Sequence, residues 1–216
     1  ILECGELQWI SVNPDILGSM MQAVVSYGER KNIGMHYTSV TNILKVLRPM
    51  FLDNLYEKLS KAENDEKKLK KILKQIYELK IFDPACGSGN FLVIAYKELC
   101  KLEIEIYKRL KDNSQTDWIM MKSGINQNQF YGIELDDYAA GTTKVSLVIA
   151  EHQMNLFFEE VFGETRPTLP LQNYRNIICA NAARINWENV CPTEKNAEIY
   201  VLGNPPYLGS SERDKN

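Results

Sequence analysis

Apolar residues in the first eighty positions recur at helical spacing, and those after them gather into short runs. Ile16, Met20 and Val24 share one stripe over Asp15–Gly28, and further helices are predicted over Ser39–Lys61 and Glu66–Leu79. In the last of these Leu69, Ile72, Leu73 and Ile76 form one apolar face, which leaves the lysines from Lys67 to Lys74 on a solvated face. From residue 80 onward, short apolar runs at Lys80–Phe82, Phe130–Glu134, near Asn176–Ala180 and near Glu198–Leu202 read as strands. Long amphipathic stretches over 90–110 and 137–162 read as helices, and residues from about Asp112 to Gln129 as a polar loop. Strands alternating with long helices predict an α/β chain with a parallel sheet and helices on both faces.

Three of the predicted strands end in residues with chemical potential. After Lys80–Phe82 comes Asp83-Pro84-Ala85-Cys86-Gly87-Ser88-Gly89-Asn90, a glycine turn that exposes backbone N–H groups at the start of a helix. A dinucleotide fingerprint would carry a third glycine where Leu92 stands, and no Walker lysine is present. The segment instead suits a small cofactor: Asp83 is placed to reach a positively charged amino group, and Gly89 to leave the cofactor room. Phe130–Glu134 ends in an acid positioned for two ribose hydroxyls, although Asp136 and Asp137 follow and a helix N-terminal role competes.

The third strand end is Asn204-Pro205-Pro206-Tyr207. An aromatic amino group is a weak nucleophile because its lone pair is delocalised. The Asn204 side-chain oxygen and the Pro205 carbonyl can each accept one of its N–H bonds, which favours a tetrahedral nitrogen in the transition state. Two prolines stiffen the turn, and Tyr207 offers a ring for stacking a base drawn out of a duplex. An ordinary strand exit is the alternative reading of the tetrapeptide taken alone. Taken with the glycine segment, it reads as methyl transfer to a planar amine.

These residues, in this order, resemble the amino-group DNA methyltransferases that carry cofactor motifs first, catalytic motif second and target recognition last. The similarity is strongest to the MmeI-like, type IIG restriction–modification branch. It rests on Gly34–Ser39, Asp83 to Leu92, Gly132–Leu135 and Gly203 to Tyr207, with Cys179–Ala182 and Asn186-Trp187 resembling the adenine-ring segment. The resemblance implies a Rossmann-like class I methyltransferase sheet with an N-terminal helical cap, S-adenosyl-L-methionine as cofactor, and N6 of a flipped adenine in double-stranded DNA as substrate. Tyr37 and Thr38 match the segment closing over the cofactor's methionine end, with Thr38 also suited to cap the following helix. Asp83, Ala85, Gly87, Gly89 and Asn90 match the cofactor loop, Glu134 the ribose acid, and Leu135 the residue packing near the adenine ring. Asn181 stands where many relatives carry Asp; its amide oxygen can accept the same hydrogen bond from the adenine amino group. Asn204, Pro205, Pro206 and Tyr207 match the catalytic tetrapeptide without change.

Composition narrows the setting. The formal net charge over 216 residues is −3, so the chain lacks the basic excess of a duplex-binding surface. The expectation is that target recognition is carried mainly by a domain elsewhere, and that the chain is a fragment. Residues 1–80 would be the helical cap, and 81–216 the N-terminal part of the catalytic domain. Cys4, Cys86, Cys100, Cys179 and Cys191 include no Cys-x-x-Cys pair, which points away from a zinc site or disulfide framework, and Cys86 reads as a small buried side chain. No apolar run reaches membrane length and no signal peptide is visible, so cytoplasm and no membrane partner are expected. His36 reads as a loop residue near the cofactor and His152 as packing or surface. The competing functions are N4-cytosine or protein-glutamine methylation, or a catalytically silent module of a phage-defence complex.

Overall fold

The computed structural model describes residues 38–113, 123–163, 176–194 and 197–205. The predicted helix over Asp15–Gly28 and residues His36, Tyr37, Pro206 and Tyr207 lie outside them. The described chain opens with α1 (Val40–Leu47), which runs through a π-helical turn (Arg48–Leu52) into α2 (Asp53–Ala62). Pro49 accounts for the turn. It has no N–H to donate and its ring crowds the preceding carbonyls, so the helix widens locally. The Asp53 N–H then returns to the Arg48 carbonyl, five residues back.

Next come α3 (Glu66–Glu78), β1 (Lys80–Asp83), α4 (Asn90–Asn113), β2 (Phe130–Glu134), α5 (Asp137–Phe162), β3 (Ile177–Cys179) and β4 (Ile199–Val201). Local chemistry sets the helix ends. Asp65 caps α3 by accepting the Lys67 and Lys68 N–H groups, Asp136 caps α5 through the Ala139 N–H, and Gly163 closes α5 in the left-handed region at φ 81°. Thr38 does not cap α1. The N-cap is Ser39, which makes no side-chain capping bond.

All strand pairs are parallel, in the order β3-β2-β1-β4. The chain steps outward from β1 through β2 to β3, then returns to the far side of β1, so the direction of winding reverses between β1 and β4. In open α/β sheets a crevice for ligands forms outside the carboxyl ends of strands at such a reversal.

Among the described residues, the long helices lie on one face of the sheet. Right-handed crossovers progressing in one direction place their helices on one face. Accordingly α4 and α5 pack on each other and on the sheet, α1 and α3 pack against α4, and a single large core runs from Ile43 to Leu202. The opposite face is covered, among the described residues, by a smaller cluster of Phe82, Tyr131, Ile133, Val190 and Cys191. Alternation along β1 splits the two layers, with Ile81 in the first and Phe82 in the second. The lysine-rich helix behaves as its pattern predicts: Leu69, Ile72, Leu73 and Ile76 are buried, while Lys68, Lys70 and Lys74 pair with Asp65, Glu66 and Glu78 on the exposed side.

Candidate active site

The strand carboxyl ends bring four segments from distant parts of the chain to one rim. Parallel register sets Asp83 level with Gly132 on β2, Gly132 level with Ile177 on β3, and Phe82 level with Val201 on β4. Asp83, Glu134, Cys179 to Asn181, and Gly203 to Pro205 therefore sit at the sheet's upper edge.

The loop after β1 is built from its glycines outward. Gly87 and Gly89 have φ of 56° and 85°, where a side chain would strain the backbone. Internal bonds tighten the turn: the Gly89 N–H donates to Cys86 C=O, the Val93 N–H to Gly89 C=O, and the Cys86 N–H crosses to Ile133 C=O on β2. A Cβ on Gly87 would meet open space, whereas one on Gly89 would lie 2.8 Å from the Thr143 methyl on α5. The Cβ side of Gly89 is thus occupied by Thr143, and the open position of the turn is two residues earlier. Gly89 is small so that the loop can rest on α5, and the open side of the loop lies at Gly87.

Asp83 is fully buried, with one carboxylate oxygen accepting the Ala85 N–H at 3.0 Å. Burial pushes its carboxyl up to about 7; the Ala85 N–H opposes the shift and the Glu134 charge adds to it. No cationic side chain among the described residues pairs with it. Gly203, at φ 145°, crosses so close to this carboxylate that a Cβ there would fall 2.4 Å from its Oδ1. The exit of β4 is thereby fixed directly beside Asp83.

Glu134 is more committed than the ribose role expected of it requires. Its Oε2 accepts the Gly87 N–H at 2.8 Å, and its Oε1 accepts the Leu135 and Asp136 N–H groups at 2.8 and 3.0 Å. The acid thus latches the glycine loop to the residues just before α5, whose N-cap is Asp136. Leu135 beside it is 67% exposed, available for contact with a planar ring. Asn90 opens α4 and is buried, and Ala85 is half-buried.

Beyond β3, the Asn181 Oδ1 accepts the Ala183 N–H at 3.0 Å, so in this structure it closes its own turn. Trp187 supports that turn from below, donating its indole N–H to Ala182 C=O at 2.8 Å and meeting Phe82 edge-on at 5.3 Å. At the other side of the rim, Asn204 is exposed, and its Nδ2 lies 3.5 Å from the Thr38 hydroxyl, 166 residues away in sequence. The segment expected to close over the cofactor and the tetrapeptide expected to do chemistry are therefore adjacent. Thr143 is the support that sequence reasoning missed; it sits within α5 with no motif around it, and only packing reveals it, whereas Trp187 belongs to the segment already singled out in sequence. Cys86 is buried as predicted, and burial together with the nearby Asp83 and Glu134 charges drives its thiol well up, away from nucleophilic use. No group of three or more metal-ligating side chains occurs among the described residues.

The family model described as MmeI, DNA-methyltransferase domain, matches residues 59–216. The chain belongs to this family. A Bacillus subtilis (strain 168) protein named DNA methyltransferase A is 52% identical over 217 residues, an alignment covering 100% of this chain and 24% of that protein. A solved structure of the type IIL restriction-modification enzyme MmeI in complex with DNA is 39% identical, with a TM-score of 0.83 over 94% of this chain and 27% of that one. The chain spans about a quarter of the length of these relatives. No helix among the described residues is long and apolar enough to cross a membrane.

Proposed function

We propose that this chain is the cofactor-binding and catalytic portion of a restriction–modification enzyme that methylates adenine N6 in double-stranded DNA, using S-adenosyl-L-methionine. The observation that carries the reading is the adjacency of Asn204 to Thr38 on the rim where Asp83 and Glu134 also converge. Residues 1–80 then serve as the helical cap and 81–216 as the N-terminal part of the catalytic domain. Target recognition lies mainly outside this chain, and a cytoplasmic setting is consistent with that role.

The residues present fit the cofactor. Asp83 is a buried carboxylate with no cation beside it, next to a loop whose open side faces Gly87. A cationic amino group at that position would supply the missing partner. Glu134 keeps a lone pair for a ribose hydroxyl even with three N–H donors on its oxygens. Leu135 supplies an apolar surface for the adenine, and Asn181 would have to release its turn to bond the adenine amino group. When bound, the cofactor supplies an electrophilic methyl on a positively charged sulfur.

The chain's own part in the chemistry is to hold the target nitrogen. With the Asn204 Nδ2 turned toward Thr38, its Oδ1 remains to accept one N–H of the amino group, and the Pro205 carbonyl accepts the other. Both acceptors favour the pyramidal nitrogen of the transition state over the flat ground state. Pro206 and Tyr207 complete the site in this reading, Tyr207 by stacking the flipped base. The test is nucleoside analysis after incubating the full-length protein with labelled cofactor and duplex DNA. Label in N6-methyladenine is expected; label confined to cytosine would overturn the adenine assignment.

A further inference from the structure

Thr143 lies near the middle of the first half of α5, completely buried, and belongs to none of the motifs that define the site. Its neighbour Thr142 does what helical threonines commonly do and donates its hydroxyl to the carbonyl four residues back, that of Tyr138, at 2.9 Å. Thr143 does not. Its hydroxyl leaves the helix and donates to Gly87 C=O at 2.8 Å, and its methyl lies 2.8 Å from where a Cβ on Gly89 would stand. The Cys86 thiol is also within 3.8 Å of the same hydroxyl.

One side chain thus contacts three successive parts of the loop from behind, while Glu134 holds the Gly87 N–H from the front. The two faces of one loop residue are pinned by α5 and β2. A glycine with φ of 56° has many accessible conformations when released, and bonds to both its N–H and its C=O select one of them.

We propose that Thr143 is a positioning residue of the cofactor loop, its hydroxyl fixing the Gly87 peptide so that the loop's open side is presented to the ligand, and its methyl supporting Gly89. This rests on the cofactor reading given above. The hydroxyl and the methyl have separable duties. Thr143→Val keeps the shape and removes the donor, while Thr143→Ser keeps the donor and removes the methyl.

The experiment uses both variants in the full-length protein, with three readouts: S-adenosylmethionine affinity by calorimetry, thermal midpoint, and amide hydrogen exchange without ligand. Thr143→Val is expected to weaken cofactor affinity on the order of tenfold, the scale of one lost hydrogen bond, and to speed exchange at Gly87 and Ser88. Its thermal midpoint should fall modestly, because the Gly87 carbonyl loses its donor in the folded protein, while the exchange of β2 stays near wild type. Thr143→Ser should retain the affinity and lose thermal stability, because a small void opens beneath Gly89. The reverse pattern, or wild-type loop exchange in Thr143→Val, overturns the proposal. If the wild-type protein itself binds no cofactor, the functional reading fails separately, and loop exchange still decides the role of Thr143.

Discussion

At the scale of single residues, the site holds a carboxyl in a state that water would not favour. That group is Asp83. A carboxyl whose folded value stands near 7, well above the ordinary 3.8, is half-protonated at neutral pH. Its ionisation costs stability as pH rises from about 4 to 7, since the unfolded chain has already lost that proton. A cation placed beside it reverses the balance and favours the charged form. Cofactor affinity should therefore rise as pH increases from about 5 to 7 and level off above 7, at most tenfold per pH unit. Titration calorimetry in buffers of different ionisation enthalpy should detect proton release near neutrality. Asp83→Asn should bind more weakly with a flat profile, and a flat profile in the wild type would remove Asp83 from the cation's environment.

Glu134 leads to a second expectation at this scale. Both carboxylate oxygens accept backbone N–H groups, so replacing one oxygen by an amide NH₂ sets donor against donor. Glu134→Gln should therefore behave almost as badly as Glu134→Ala, each costing about 1.5–3 kcal/mol in cofactor binding. Titration showing full affinity in Glu134→Gln would mean that the acid serves neither loop nor ribose.

At the scale of elements, the legible and illegible parts of the fold divide by the range of the interactions that set them. Helix α5 was readable to the residue because its determinants are local: Asp136 before it and Gly163 after it. Strands β1 and β2 were readable because they are buried apolar runs ending at acids. The π-helical turn at Pro49 was hidden inside a continuous apolar stripe, and the packing of α4 and α5 on one face depends on strand order, which no local pattern carries. In the site, Asp83, Gly87, Glu134 and Asn204 were legible as motif residues. Their partners were not, because Glu134 meets Gly87 across 47 residues and Asn204 meets Thr38 across 166.

The fit between loop and sheet gives a test at the same scale. Cys86 sits over Gly132 of β2, where a Cβ would lie 2.9 Å from its sulfur and 3.0 Å from the Ile177 side chain. Gly132→Ala should destabilise the protein by about 1–3 kcal/mol through overpacking. Adding Cys86→Ala should recover part of that loss in denaturant unfolding, because it vacates the nearer contact. Strict additivity of the two changes would show that loop and strand are not in register as described.

At the scale of the whole molecule, the proposed cofactor cradle and catalytic turn lie on one edge of a parallel sheet, with little net charge to hold a duplex. The lysines most concentrated in sequence sit on α3, and three of them are already paired with acids. In the proposed reading, phosphate contact falls mainly outside this chain, and this chain sets the geometry of transfer. Binding and chemistry should be separable on that view, because the cofactor contacts cluster at β1 and β2 and the acceptors for the target nitrogen follow β4.

Single-turnover methylation by the full-length Asn204→Ala enzyme, with cofactor affinity measured on the same preparation, tests this most directly. The expected result is a methylation rate lower by on the order of 10²-fold or more, the scale of one lost preorganised contact, with cofactor affinity nearly intact. A rate close to wild type, or a loss of rate that merely follows a loss of cofactor binding, would contradict the assignment of Asn204 to the target nitrogen.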